Sequence, residues 1–199
     1  MTGVRGAILA GGGATRFGGL PKGLERVGGD RVLDRLVGAF AEALGAPPLL
    51  VANDPAAATW APTLRVVKDV QPGAGALGGI LTAVVEAPAP VVCVAWDMPF
   101  VGASLIRDLA AGLTPGVDAC LPSSGGRRGV EPLCAAYGPG CRGPIEAAIA
   151  RGDLRAIAFH ESVKVGILSL SAVRAHGDPG RLFFNINTAG DLARAQDLV

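Results

Sequence analysis

The sequence predicts an α/β protein, a three-layer αβα sandwich in which helices cover both faces of a mostly parallel sheet. Three observations carry that expectation. Short apolar runs alternate along the chain with stretches of helical period, the pattern of βαβ units. Hydrophobic residues make up 50% of the 199 and charged residues 18%, enough apolar material for a sizeable core. The 30 glycines and 15 prolines suit the many tight turns such an arrangement needs.

Val4 to Leu9 is the first strand, an apolar run that ends in glycines. Arg31 to Leu44 follows as a helix, because Val32, Leu33, Leu36, Val37, Phe40 and Leu44 share one face and Gly45 stops it. Leu49 to Ala52 and Leu64 to Lys68 read as strands, Leu77 to Glu86 as a helix, and Val91 to Ala95 as a buried strand, the most apolar in the chain. Ser104 to Leu113 is the next helix, followed by strands at Ala119 to Leu121 and Leu133 to Tyr137. Cys141 to Arg151 is helical, Val163 to Leu168 extended, and Gly190 to Leu198 helical again. Pro115 to Asp118 and Ser123 to Arg128 read as turns, the second a mobile loop hinged at Gly125-Gly126 and charged by Arg127 and Arg128. Residues 1–199 form one Rossmann-like domain on this reading, since a domain takes roughly 150 residues and no repeat or low-complexity stretch divides the chain.

The charge balance excludes some partners. A net charge of +1 leaves no electrostatic footprint for nucleic acid or anionic lipid, so neither is expected. Mean hydropathy is +0.42, yet no unbroken apolar run reaches the roughly 18 residues that span a bilayer. Too few apolar residues precede Gly11 for a secretory segment, which makes a cytoplasmic location the expectation. Cys93, Cys120, Cys134 and Cys141 lack CxxC spacing and read as small core residues. His160 and His176 are too far apart to imply a zinc site.

The most informative stretch runs from Leu9 to Lys22, where the first strand enters a glycine loop carrying one Arg and one Lys. Gly11, Gly12 and Gly13 let the backbone approach a polyphosphate, and successive N–H groups there form an anion-binding concavity. Arg16 can fork onto phosphate oxygens and Lys22 offers a mobile point charge. Two commoner phosphate loops do not fit. A Walker loop needs Gly-Lys-Ser/Thr, but Gly18 is followed by Gly19-Leu20-Pro21. A GxGxxG fingerprint starting at Gly11 would end on Arg16, and no acidic residue ends the second strand.

Strand ends sort the remaining candidates, because ligands in open α/β sheets lie beyond the carboxyl ends of the strands. Gly11, Asn53, Asp69 and Asp97 each follow one of the first four strands, so all four should face one crevice. Asp97 stands directly after the most apolar strand, where Pro99 would stop the chain and hold it at the tip. Mg²⁺ on a triphosphate is an economical partner for such a carboxylate; the plain alternative is an N-cap for the helix after Gly102. Asn53 and Asp69 could equally be turn residues. Alternation in Phe183 to Asn187 puts Asn185 and Asn187 on one face, and Thr188 could cap the helix that follows.

The stretch from Leu9 to Lys22 resembles LAGGxxxRxGxxK, the signature of nucleotidyltransferases that activate a phosphorylated metabolite with an NTP. With GLPKGL at residues 19–24, EPLCAAY at 131–137 and NINT at 185–188, the chain most resembles the molybdenum cofactor guanylyltransferase family, over residues from about Ala7 to about Ala195. That resemblance implies the fold of the nucleotide-diphospho-sugar transferases, Mg²⁺ as cofactor held by Asp97, and Arg16, Lys22 and Asp97 as the catalytic residues. Leu9, Ala10, Gly11, Gly12, Gly13, Lys22, Asn53, Asp69, Asp97 and Asn187 would contact nucleotide. The family's Gly-Pro-Leu-x-Gly loop is matched after Asp69 at Gly78, with Ala76 in place of the proline, and Ala189 replaces another proline after NINT. The implied partners are GTP and molybdopterin or Mo-molybdopterin, with a molybdopterin-delivering protein beside them. A cytidylyltransferase, or another NTP transferase with a different phosphorylated acceptor, shares the first motif and stays open. So does a non-catalytic nucleotide-binding relative, against which the joint presence of Arg16, Lys22 and Asp97 argues.

Overall fold

The structure, a computed structural model, describes residues 3–11, 21–126 and 129–199. In chain order it runs β1 (Arg5–Leu9), a 3₁₀ turn at Lys22–Leu24, β2 (Arg26–Val27), β3 (Asp30–Arg31) and α1 (Val32–Leu44). Next come β4 (Leu49–Val51), α2 (Ala57–Trp60), β5 (Val66–Val67), α3 (Gly75–Glu86), β6 (Val91–Ala95) and α4 (Ala103–Ala111). The remainder is β7 (Ala119–Pro122), β8 (Cys134–Tyr137), α5 (Arg142–Ala150), β9 (Val165–Leu168), α6 (Leu170–Arg174), α7 (Pro179–Leu182) and α8 (Ala189–Asp197).

A seven-stranded sheet in the order β5-β4-β1-β6-β8-β7-β9 forms the middle layer, and β2 and β3 make a separate small hairpin. β5, β4, β1 and β6 are parallel neighbours; β8 alone in this sheet runs against both strands beside it. The largely parallel α/β sandwich read from the sequence is therefore present. Parallel strands are covered on both faces, and β6 shows it: all five of its residues are buried. Val92 and Val94 face a cluster that contains Leu33, Leu36 and Phe40 of α1 and Leu105, Ile106 and Leu109 of α4. Val91 and Cys93 face the other cluster, with Leu77, Ile80 and Leu81 of α3 and Ile145 and Ala148 of α5. The four cysteines are free and buried in these layers, and burial raises each of their pKa values, that of Cys141 to about 12.

Boundaries differ from the sequence expectation mainly at the sheet edge. The strand expected over Leu64 to Lys68 pairs only at Val66 and Val67, because Leu64 is drawn into a turn by its N–H bond to the Ala61 carbonyl at 2.9 Å. Phe183 lies in the turn that ends α7, and residues 184–187 have no regular secondary structure, so the alternation expected from Phe183 to Asn187 forms no strand. Among the described residues no helix is long and apolar enough to cross a membrane.

Close packing between β1 and α1 constrains one residue sharply. A Cβ added at Gly6 would lie 2.4 Å from Phe40 Cδ1, and Phe40 is fully buried. Gly6→Ala should therefore destabilise the protein by about 1–3 kcal/mol through overpacking, read as a lower denaturant midpoint in equilibrium unfolding. Combining it with Phe40→Leu should recover part of that loss, since the two changes act on the same volume.

Candidate active site

The pairing of β1 with β4 and β6 brings the carboxyl ends of three strands level. Leu9 pairs with both Val51 and Ala95, and the ladder continues past the strands through Ala10 N–H to the Val51 carbonyl (2.8 Å) and Trp96 N–H to the Leu9 carbonyl (3.2 Å). Ala52 N–H reaches the Val67 carbonyl at 2.9 Å, which extends the same edge to β5. Gly11, Asn53, Asp69 and Asp97 thus lie along one sheet edge, in two groups on either side of Gly11.

Asp97 occupies a tight turn after β6, where Met98 N–H returns to the Ala95 carbonyl at 3.2 Å. Its own carbonyl accepts from Ile186 N–H at 2.9 Å, so the segment before α8 is pinned to the tip of β6. The side chain does not cap α4, whose N-cap is Gly102 without a side-chain hydrogen bond. Instead Oδ1 is buried with no hydrogen-bond partner among the described residues. Burial shifts the carboxyl pKa upward, and the Lys22 ammonium partly offsets this.

Lys22 opens the 3₁₀ turn, which Leu24 N–H closes onto the Pro21 carbonyl at 2.8 Å. Gly23 allows that turn to lie against Trp96, since an added Cβ would stand 2.3 Å from Cε3 of its indole. Trp96 stacks on Trp60 with ring centroids 5.2 Å apart, so an aromatic floor supports the turn. The Lys22 ammonium then donates to Asn187 Oδ1 at 2.8 Å, a contact across 165 residues of sequence. Asn185 does not join it; its Nδ2 turns back to the Phe183 carbonyl at 2.9 Å.

On the other side of Gly11, Asn53 and Asp69 hold each other. Asn53 Nδ2 donates to Asp69 Oδ2 at 2.7 Å, and Asp69 N–H donates to Asn53 Oδ1 at 2.9 Å. The second oxygen of Asp69 is buried and unpartnered among the described residues. A cleft is walled by Leu9, Gly11, Gly75, Ala76, Gly79 and Asp97; Asn53 and Asp69, expected to face the same crevice, do not line it. Gly11, Gly75, Ala76 and Gly79 are small, and a Cβ at Gly11 or Gly75 would meet nothing within 4 Å. α3 presents its N-terminus to this cleft with no side chain capping it, which leaves first-turn N–H groups and the positive end of the helix dipole for an anion. Leu133, which enters β8, closes the far wall.

The arrangement fits a hard divalent cation bound together with phosphate. One buried carboxylate oxygen at Asp97 lacks a partner, and Mg²⁺ typically takes one or two carboxylates and completes its shell with phosphate oxygens and water. Gly12, Gly13 and Arg16, expected to contact phosphate, lie outside the described residues, as do Arg127 and Arg128 of the loop expected to be mobile. Thr188 caps α8 as anticipated, in a reciprocal capping box with Asp191. Sequence reasoning missed the Asn53–Asp69 pair and the Lys22–Asn187 contact, for which no local pattern exists; the Trp96-Asp97 dipeptide was the one available hint of the aromatic floor.

The MobA-like NTP transferase domain family matches residues 6–165. The chain belongs to that family. Among its relatives, the probable molybdenum cofactor guanylyltransferase of Pelotomaculum thermopropionicum is 33% identical over 96% of this chain and 91% of its own. The molybdenum cofactor guanylyltransferase of a Bradyrhizobium strain is 34% identical over 99% and 93%. The crystal structure of molybdopterin-guanine dinucleotide biosynthesis protein A from Archaeoglobus fulgidus superposes with a TM-score of 0.80 at 26% identity, covering 98% of this chain and 97% of that one. The Thermus thermophilus 2-C-methyl-D-erythritol 4-phosphate cytidylyltransferase shares the fold, with a TM-score of 0.65, 21% identity and coverage of 100% and 98%. This MobA-like transferase is therefore a nucleotidyltransferase enzyme.

The raised pKa of Asp97 sets the sign of a stability effect. A carboxyl whose folded pKa lies above its unfolded one contributes stability that is complete at low pH and is lost as pH rises through the folded value. Asp97→Asn escapes that loss. In metal-free buffer the variant should melt no lower than the parent at pH 7–8, with any advantage vanishing below about pH 4, where both side chains are neutral. A lower melting temperature at pH 8 would contradict the assignment.

Proposed function

We propose that this enzyme transfers GMP from GTP to the terminal phosphate of molybdopterin or Mo-molybdopterin, free or handed over by a delivering protein, and releases pyrophosphate. The observation that carries the reading is the convergence of Lys22, Asp97 and Asn187, from three distant parts of the chain, beside a glycine-walled cleft under an open helix N-terminus. The names of the relatives support guanine and molybdopterin; the shared fold alone would suit a cytidylyltransferase equally well.

In the reaction a phosphate oxygen of the acceptor attacks the α-phosphorus of GTP. The P–O bond to the β-phosphate breaks, and its electron pair leaves on pyrophosphate. A phosphate monoester with a second pKa of about 6 is already largely anionic at neutral pH, so this chain need not supply a general base. Positioning and charge neutralisation do the work. The glycine loop and α3 face the triphosphate, with Arg16 expected on its departing phosphates. Lys22 meets the charge that develops at the α-phosphate, and Asn187 aims the ammonium there. Asp97 would hold Mg²⁺, which when bound neutralises phosphate charge and makes the α-phosphorus more electrophilic. Asn53 and Asp69, already fixed to each other, present a preorganised polar edge to the nucleoside.

Three measurements test this. Calorimetry should give tighter binding for GTP than for CTP, UTP or ATP; CTP equal or tighter would move the assignment to the cytidylyl alternative. Lys22→Ala should lower kcat on the order of a hundredfold, equivalent to about 3 kcal/mol, with a smaller effect on KM. An unchanged kcat with raised KM would make Lys22 a ground-state binder. Asp97→Asn should fold, yet need far more Mg²⁺ and release pyrophosphate orders of magnitude more slowly; near-normal turnover at low Mg²⁺ would remove Asp97 from the mechanism.

A further inference from the structure

We propose that α8 is a strap that seats Lys22 from both directions, with Asp191 and Gln196 as its positioning residues; this rests on the transferase reading of the site. At its start, Asp191 Oδ2 accepts from Asn187 N–H (3.1 Å), Thr188 N–H (2.9 Å) and the Thr188 hydroxyl (2.9 Å). Asp191 N–H returns to Thr188 Oγ1 at 3.1 Å, and Arg194 pairs with Oδ1. The Asp191 side chain is 13% exposed, and its bonds fix the main chain of the residue whose side chain holds the Lys22 ammonium.

At the other end of the helix, Gln196 grips the hairpin that follows Lys22. Its Oε1 accepts from Gly28 N–H at 3.0 Å and its Nε2 donates to the Arg26 carbonyl at 2.7 Å, so both functions of one amide are spent on the backbone of that hairpin. The Val199 side chain closes over the same place, where a Cβ on Gly28 would come within 2.7 Å of it. One rigid nine-residue helix therefore holds the ammonium of Lys22 near its start and the main chain just beyond Lys22 near its end. The capping box at the start of α8 does more than stop fraying: it transmits the seating of α8 to the charge beside Asp97.

The chain's lysines are Lys22, Lys68 and Lys164, and the last two are exposed, which supplies internal references for a labelling test. Competitive acetylation with a limiting amine reagent, read by mass spectrometry, should show Lys22 reacting severalfold faster relative to Lys68 and Lys164 in Asp191→Ala and Gln196→Leu than in the parent. Asp191→Glu should restore the slow reaction, because Glu at this helix position completes the same box. In turnover, both variants should lower kcat about tenfold with KM for GTP within about twofold, since a misplacement of about 1 Å can cost a hundredfold and a smaller one proportionately less. In a Lys22→Ala background the same changes should lower kcat no further. Unchanged relative labelling of Lys22, or an equal kcat loss in both backgrounds, would overturn the strap. Should Asp191→Ala fail to fold, the exposed Gln196→Leu decides alone. The labelling arm stands even if the parent does not turn over GTP, so failure of the strap and failure of the transferase reading are told apart.

Discussion

The register between β1 and β6 is the constraint on which the site depends. Five consecutive pairs, from Arg5 with Val91 to Leu9 with Ala95, leave the two strands flush at their carboxyl ends. A shift of one residue would turn every side chain of one strand to the wrong layer, and both layers are packed with fully buried residues, so the register is held by the whole core. What emerges at the edge is consequently fixed: Gly11 on one strand, Asp97 on its neighbour, with the backbone of Trp96 bonded to that of Leu9 between them. Apolar burial far below the cleft thereby sets the spacing of its polar groups.

The electrostatics of the edge follow from the same burial. Asp97 projects from a strand with no exposed residue, so its carboxylate keeps little water, and the groups that can stabilise its charge are those the fold brings to it. Lys22 is one, and Asn187 draws the lysine ammonium aside without neutralising it. Asn53 and Asp69 solve a related problem differently, by exchanging two hydrogen bonds and leaving one carboxylate oxygen over. The fold is shared with a molybdopterin-guanine dinucleotide biosynthesis protein and with a cytidylyltransferase, so the architecture alone does not separate such enzymes.

Much of this was legible in the chain. β1, α1 and β6 came through because their apolar periodicity is enforced by packing on one or both faces, and Gly45 ends α1 in the left-handed conformation its position suggested. The strand-end rule put Gly11, Asn53, Asp69 and Asp97 on one edge before any contact was known. What was not legible is of two kinds. α2, α6, α7 and the β2–β3 hairpin are too short to show a period; α7 is started by a local cap from Asp178, and the hairpin is gripped from a distance by Gln196. The pairing of Lys22 with Asn187 depends on how the last helix returns across the sheet, and no window of sequence spans 165 residues.

The single reversed strand has a consequence for how such an enzyme can diversify. Because β8 runs against β6 and β7, the hairpin between β7 and β8 both leaves and re-enters the sheet at the edge that carries Gly11 and Asp97, without a crossover to the far side. Its ends are tied by the Ser123–Val130 bridge and by Glu131 N–H to the Pro122 carbonyl at 3.1 Å. Ser124 and Gly126 of that connection line a separate hollow with Val130, Glu131, Pro179, Gly180 and Phe183, beside the cleft walled by Gly11 and Asp97 and not part of it. Changes of loop length there can therefore reshape a neighbouring hollow, while the cleft walls built from β1 and α3 stay as they are.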